Sequence, residues 1–174
     1  GLTIVVSPLV ALMQDQVMAL KLAGVAADCI NSAATRADNV SAWQRAASGE
    51  TRLLYMAPER LMTERMLEAL GRLPLKLIAI DEAHCISRWG PSFRPDYEGL
   101  SRLTELFPGV PLSAFTATAD EATRLDISEK LFHGHKTAIP IGVGFQRLEL
   151  DFQLLGVPEI VGVDPGKKPP FGVG

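Results

Sequence analysis

The 174-residue chain has little of what marks a secreted, metal-bound or membrane protein. Its two cysteines, Cys29 and Cys85, fit neither a disulfide framework nor a zinc site, so we expect reduced thiols. No apolar run is as long as a membrane span and no signal peptide is visible, so we expect a cytoplasmic protein without membrane contacts. The formal net charge is −3, so the chain also lacks the basic excess typical of nucleic-acid-binding proteins. Any contact with nucleic acid must therefore rely on local positive groups.

What the chain does have is a regular alternation of strand and helix patterns. Strands are predicted at 2–6, 26–30, 52–56, 77–80, 111–115, 138–143 and 148–155. Helices are predicted from Ser7-Pro8 to Gly24, and at 35–49, 63–71, 97–107 and 118–131. Such alternation indicates βαβ units and a mostly parallel sheet of the α/β class. Residues 156–174 lack periodicity and are predicted to be an irregular tail.

One predicted strand stops abruptly at two carboxylates, Asp81 and Glu82. The apolar run before them, 77–80, is typical of a strand buried on both faces. In an open α/β sheet, ligands bind just beyond the carboxyl ends of the strands. A carboxylate there can hold Mg²⁺, and its neighbour can orient or deprotonate a water. The alternative is that the pair only caps the following helix.

The segment after these carboxylates, 85–97, combines aromatic side chains with arginines, glycine and two prolines. This composition favours a structured loop over a helix. Trp89 and Phe93 offer faces on which bases can stack, and Arg94 offers a partner for phosphate. Together they are what single-stranded nucleic acid needs.

The residues 81–97 resemble motif II and the aromatic-rich loop of RecQ-family DNA helicases. The sequence runs Asp-Glu-Ala-His, then Cys-Ile-Ser-x-Trp-Gly-x-x-Phe-Arg-Pro-x-Tyr, and other DEAH-box helicases share only its first four residues. The chain has Pro91-Ser92 where the family usually has a polar pair such as His-Asp. The resemblance implies a three-layer RecA-like fold of the P-loop NTPase type, truncated at its amino terminus. It assigns 1–155 to part of the first motor domain.

Two further segments resemble motifs that lie near DNA in these helicases. The segment 5–17 resembles motif Ia, which implies DNA contacts for Ser7, Pro8 and Gln16; alternatively Ser7 is only a helix N-cap. The segment 55–61 resembles motif Ib, which implies DNA contacts near Pro58 and Arg60. The alternative for Arg60 is a surface ion pair with Glu59 or Glu64.

The segment 113–118 resembles motif III, which couples nucleotide state to DNA binding in the family. This implies coupling roles for Ser113, Thr116 and Thr118, with His84 hydrogen-bonded toward them. Thr118 and Glu121 also fit a capping box at the start of the next helix.

The resemblance implies an ATP-dependent helicase that moves 3′-to-5′ on DNA in repair and recombination, in bacteria at the nucleoid. Its cofactors would be ATP and Mg²⁺, with Asp81 as the metal ligand, Glu82 acting on the attacking water and His84 beside them. The chain contains no Gly-Lys-Ser/Thr phosphate loop and no second motor domain, so we expect both elsewhere in a longer protein. The alternatives are a non-catalytic nucleic-acid-binding remnant and an RNA helicase of the wider DEAH group.

Overall fold

The computed structural model describes residues 1–133, and its centre is a sheet of parallel strands. The strands are β1 Leu2–Val6, β2 Ala27–Ile30, β3 Leu53–Met56, β4 Leu75–Ile80 and β5 Leu112–Ala114. They lie in the order β2-β3-β1-β4-β5, so β4 has a parallel neighbour on each side. The predicted parallel α/β class is therefore confirmed. The strands predicted at 138–143 and 148–155 and the tail 156–174 lie outside the described residues.

Helices connect these strands and cover both faces of the sheet. The α-helices are α1 Val10–Leu22, α2 Arg36–Ser48, α3 Pro58–Leu61, α4 Glu64–Leu70, α5 Leu103–Leu106 and α6 Glu121–Phe132. Two 3₁₀ segments, Ala83–Ile86 and Pro95–Arg102, follow β4. Within the described part of the chain, no helix is long and apolar enough to cross a lipid bilayer.

The two faces of the sheet belong to two apolar clusters because successive side chains of a strand point in opposite directions. On one face, Ile4, Val6 and Ile80 are fully buried in the larger cluster, which includes residues of α2, α4 and α6. On the other face, Val5 and Tyr55 belong to the smaller cluster, which includes Met13 and Val17 of α1. Burial of both faces explains why the last four residues of β4, 77–80, form a continuous apolar run.

Four predictions about the helices need correction. Helix α1 begins at Val10 with Leu9 as its N-cap residue, so Ser7 caps nothing. The predicted capping box of Thr118 is wrong: Asp120 caps α6, and its carboxylate accepts the Thr123 N–H at 2.8 Å. Asp120 lies closer to the helix than Thr118 and supplies the same kind of oxygen acceptor, so the helix begins two residues later than predicted. The predicted helix 97–107 is mostly 3₁₀. The short α3 is not predicted, because Pro58 signals the end of a strand, whereas in the structure it also begins this helix.

A buried carboxylate joins the edge strand β2 to the helices beside it. Asp28 is 5% exposed and accepts hydrogen bonds from both Nε and Nη2 of Arg45, at 3.0 and 2.8 Å. Thr51 and Lys21 donate to the same carboxylate. Burial alone would raise the pKa of Asp28, but these donors and their charge outweigh it and hold the pKa well below its usual value. The group therefore fastens α1 and α2 to β2.

Candidate functional site

The predicted carboxylate pair lies immediately beyond the carboxyl end of β4. The Asp81 N–H donates to Val6 of β1 at 2.8 Å, and Asp81 Oδ1 accepts the N–H of Glu82 at 2.9 Å. Glu82 then adopts the left-handed conformation, with φ 49° and ψ 42°. For a residue with a side chain this conformation costs about 1–2 kcal/mol. The turn reverses the chain into the 3₁₀ segment Ala83–Ile86 and leaves both carboxylates half-buried at the edge of the sheet.

A chain of polar contacts runs from Glu82 through His84 to the segment after β5. His84 Nδ1 lies 3.2 Å from Glu82 Oε2 and 2.8 Å from Thr116 Oγ1. The Thr116 hydroxyl donates to the Thr118 carbonyl at 3.2 Å, so toward His84 it acts as an acceptor. His84 Nδ1 therefore lies within hydrogen-bonding distance of both the Glu82 carboxylate and the Thr116 hydroxyl. The backbone adds a parallel connection, because the Ala83 N–H donates to the Phe115 carbonyl at 2.8 Å.

Tyr97 supports the carboxylate turn from below, and the sequence analysis missed this role. Its side chain is fully buried, and its hydroxyl donates to the Asp81 carbonyl at 2.9 Å. Burial strongly raises the pKa of the Tyr97 phenol, and the neighbouring Cys85 and Asp81 raise it further. The tyrosine was visible in the motif after the aromatic loop, but a motif letter alone does not reveal what a side chain contacts.

A cavity of about 350 Å³ opens beside Asp81, between β1, β4 and α1. It is lined by Asp81, Gln16, Tyr55, Phe115, Val5 and Ala79. Residues 1–133 contain no group of three His, Cys, Asp or Glu side chains that would hold a metal alone. One carboxylate at the edge of a cavity nevertheless fits Mg²⁺, which usually binds one or two protein carboxylates and takes its other ligands from phosphates and water.

The aromatic-rich loop begins directly after the 3₁₀ segment and is closed at its base. The Arg94 N–H donates to the Cys85 carbonyl at 2.9 Å. Arg88 Nε donates to Glu98 Oε1 at 2.6 Å, and the guanidinium lies 5.9 Å from the centre of the Phe93 ring. Trp89 packs on nothing comparable and is 84% exposed. The loop thus leaves the indole of Trp89 in solvent, whereas Phe93 is half-buried and lies against Arg88.

The predicted motif Ia residues divide between the loop and the cavity. Arg94 Nη1 donates to the Pro8 carbonyl at 3.4 Å, which joins the aromatic-rich loop to the turn after β1. Ser7 is fully buried in that turn, and within the described residues its hydroxyl has no hydrogen-bond partner. Gln16, by contrast, lies on α1 at the wall of the cavity that contains Asp81.

Within residues 1–133, the remaining predicted residues form no side-chain hydrogen bond or ion pair with this group. Pro58 is buried at the start of α3, and Arg60 is exposed. No ion pair between Arg60 and Glu59 or Glu64 exists among residues 1–133, so that alternative finds no support. Ser113 is half-buried in β5 opposite Ala79 of β4, one residue pair before the strand ends.

Comparison with known proteins identifies the family. A family model described as "DEAD/DEAH box helicase" matches residues 1–126. The chain belongs to the DEAD/DEAH box helicases. Within that family, it is 46% identical over 131 residues to the protein named ATP-dependent DNA helicase RecQ of Pasteurella multocida. It is 38% identical over 156 residues to the protein of the same name in Bacillus subtilis. The predicted resemblance to RecQ helicases is confirmed.

The alignments cover most of this family member but only part of each relative. They include 75% of the chain and 21% of the Pasteurella protein, and 89% of the chain and 26% of the Bacillus protein. Among solved structures, the Pyrococcus furiosus Hef helicase domain matches with a TM-score of 0.51 at 17% identity, over 76% of this chain and 27% of that one. That likeness confirms the three-layer RecA-like fold.

Proposed function

We propose that this chain is part of the first RecA-like motor domain of an ATP-dependent DNA helicase. The observation that carries the proposal is that His84 contacts both Glu82 and Thr116. In the chain, His84 stands between the carboxylate pair and the aromatic-rich loop. One short segment, 81–94, thereby contains groups suited to a nucleotide at one end and groups suited to single-stranded DNA at the other.

On the nucleotide side, Asp81 would hold Mg²⁺ and Glu82 would orient or deprotonate the attacking water. Mg²⁺ bound with ATP would neutralise charge that develops on the phosphates. Two backbone hydrogen bonds fix Asp81 for this role: its N–H donates to the Val6 carbonyl, and its carbonyl accepts from the Tyr97 hydroxyl. Glu82 is held by its left-handed backbone and by His84. Because phosphoryl transfer depends on positioning, such fixation of both carboxylates supports a catalytic role.

On the DNA side, Trp89 and Phe93 would stack on bases and Arg94 would contact a phosphate. The exposure of Trp89 supports this role, because a side chain that packs the core would not be 84% exposed. Arg94 also lies against the turn of Ser7 and Pro8, so Pro8 would contact the same strand, whereas Ser7 is fully buried and would reach it only if that turn opens. The resemblance also assigns Gln16, Pro58 and Arg60 to the DNA side; of these, the exposed Arg60 fits the role best, because Pro58 is buried and Gln16 lines the cavity beside Asp81.

Coupling between the two sides would run through the segment after β5. Thr116 touches His84, Thr118 accepts from Thr116, and Ser113 lies beside β4 within the sheet. His84 Nδ1 and Thr116 Oγ1 are hydrogen-bonded at 2.8 Å. A change in the nucleotide that moves Glu82 or His84 would therefore displace Thr116 directly.

The complete protein would supply what this segment does not contain. We propose a phosphate-binding loop and a second motor domain elsewhere in a longer chain, with 1–155 as part of the first motor domain. The lengths of the relatives, of which the chain covers 21–26%, support this organisation. The activity would be 3′-to-5′ translocation and duplex unwinding in repair and recombination, in the cytoplasm and at the nucleoid of a bacterial cell.

A binding titration tests the DNA side on the purified chain. We expect the anisotropy of a fluorescently labelled single-stranded oligonucleotide to rise on binding, and Trp89→Ala and Arg94→Ala to weaken this binding. Only Arg94→Ala should also reduce the dependence of binding on salt, because its guanidinium would sit on a phosphate. Arg52→Ala, which removes an exposed arginine just before β3, is the matched control. Tighter binding of an RNA of the same sequence would favour an RNA helicase instead, and equal binding by all variants would refute the proposed interface.

A further inference from the structure

The 3₁₀ segment Ala83–Ile86 is held at both ends by one stretch of chain. At its start, Ala83 and His84 contact Phe115 and Thr116, as described above. At its end, the Ile86 carbonyl accepts a hydrogen bond from Lys130 Nζ at 2.9 Å. Lys130 lies on α6, whose cap residue Asp120 follows Thr118 by only two positions. The second connection therefore belongs to the same segment as the first.

Lys130 is itself fixed rather than free to move. Its ammonium lies 3.1 Å from Asp126 Oδ2, one helical turn earlier, and its side chain is 27% exposed. Asp126 Oδ2 is buried, and within the described residues it forms no hydrogen bond of its own, so the ion pair is what compensates its charge. Ile127 and Leu131 of the same helix are buried in the core. Helix α6 thus presents a positioned ammonium to a backbone carbonyl.

We propose that Lys130, held by Asp126, is a positioning residue that sets the conformation of the aromatic-rich loop. The loop starts at the residue after Ile86, and Ser87 is fully buried there with no hydrogen-bond partner for its hydroxyl among residues 1–133. Within the described residues, Lys130 Nζ is the only side-chain donor to the backbone of 83–87. A rigid shift of α6 would therefore move the base of the loop directly.

The consequence for coupling rests on the proposed function. If Thr116 responds to the nucleotide, α6 gives this response a second route to the loop that does not pass through His84. A movement of the segment 116–130 would then displace both ends of the 3₁₀ segment together. The whole 3₁₀ segment would change its orientation, which a contact at one end alone would not achieve.

Hydrogen exchange of the loop amides tests the positioning role on the purified chain. The amides of Gly90, Phe93 and Arg94 donate within the loop at 3.2, 3.3 and 2.9 Å, so their exchange reports whether the loop is formed. Lys130→Met keeps the aliphatic stem but removes the donor, and we expect about tenfold faster exchange of these amides. Lys130→Arg should restore slow exchange, because a guanidinium can donate to both the Ile86 carbonyl and Asp126.

The matched control is Lys21→Met, which breaks a comparable lysine–aspartate pair, 3.0 Å long, on the far side of the sheet. We expect this variant to leave loop exchange unchanged, because the Lys21–Asp28 pair does not touch the 3₁₀ segment and Asp28 keeps its hydrogen bonds from Arg45 and Thr51. Unchanged loop exchange in Lys130→Met, or equal acceleration in both variants, would overturn the inference. Faster exchange together with unaltered affinity for an oligothymidylate would support the positioning role and count against the proposed DNA-sensing loop.

Discussion

Replacement of Tyr97 by phenylalanine removes one hydroxyl from beneath the carboxylate turn and nothing else. The hydroxyl is fully buried and donates to the Asp81 carbonyl at 2.9 Å. Loss of a buried partner leaves the carbonyl with its desolvation cost unpaid, which is worth about 1–3 kcal/mol. We therefore expect Tyr97→Phe to lower the free energy of unfolding by about 1–3 kcal/mol.

The chain contains its own control for this substitution, because Tyr55 is its one other tyrosine. Tyr55 is 9% exposed and lines the cavity beside Asp81, but its hydroxyl forms no hydrogen bond among the described residues. Tyr55→Phe should therefore change the free energy of unfolding by less than about 0.5 kcal/mol. Urea unfolding, followed by circular dichroism, measures the free energy of unfolding of both variants. The dependence of this free energy on urea concentration should be the same for both, so that a shift in midpoint reports stability. Equal stabilities of the two variants would refute the assignment of Tyr97 as the support of Asp81.

The pH dependence of stability gives a second measurement on the same residue. Burial, with Cys85 and Asp81 nearby, raises the pKa of Tyr97 in the folded chain above its ordinary value. The folded state thus keeps this proton when the unfolded state has already lost it. The stabilisation is fully present below a pH of about 10 and is lost as the pH rises above it. The difference in stability between the wild type and Tyr97→Phe should accordingly shrink in alkaline solution.

Three further predictions concern other parts of the molecule. Asp28→Asn should destabilise the chain at neutral pH; because the pKa of Asp28 is lowered in the folded state, the difference from wild type should begin to shrink as the pH falls below about 4 and should be lost only when the pH approaches the lowered pKa of the folded state, as acid unfolding curves would show. The purified 174-residue chain should not hydrolyse ATP measurably, since it has no phosphate loop; DNA-stimulated hydrolysis that Glu82→Gln abolishes would contradict this. In the complete gene product, Trp89→Ala should uncouple hydrolysis from DNA and leave nucleotide binding intact, because stacking contributes about 1–3 kcal/mol per base. A parallel loss of melting temperature and basal hydrolysis would show instead that Trp89 is packing.

Much of the fold could be predicted from the sequence because its signals are local. The apolar run of β4 is buried on both faces, so its composition alone indicates an interior strand. The cap of α2 was also correctly predicted: the Asp38 N–H donates to Thr35 Oγ1 at 3.1 Å. The start of α6 was not, because Thr118 and Asp120 both offer an oxygen acceptor and only the backbone path after Thr116 decides between them.

The candidate site was predictable only in part, for a physical reason. Asp81, Glu82 and Trp89 lie in one continuous stretch, so a motif identifies them together. Tyr97 and Lys130 act through backbone carbonyls of residues 16 and 44 positions away. A carbonyl has no residue identity, so contacts with it leave no pattern in the sequence. They become visible only when the fold brings the side chain to the strand end.

The most direct test of the account is the hydrolysis of ATP by the complete gene product with Glu82 replaced by Gln. Gln keeps the size of the side chain and can still face His84, but it cannot accept a proton from the attacking water. We expect DNA-stimulated hydrolysis to fall by at least about a hundredfold, in line with the loss of a general base, while binding of a fluorescent ATP analogue and of single-stranded DNA persists. Hydrolysis at the wild-type rate in Glu82→Gln would contradict the claim that the end of β4 is the catalytic edge of a helicase motor.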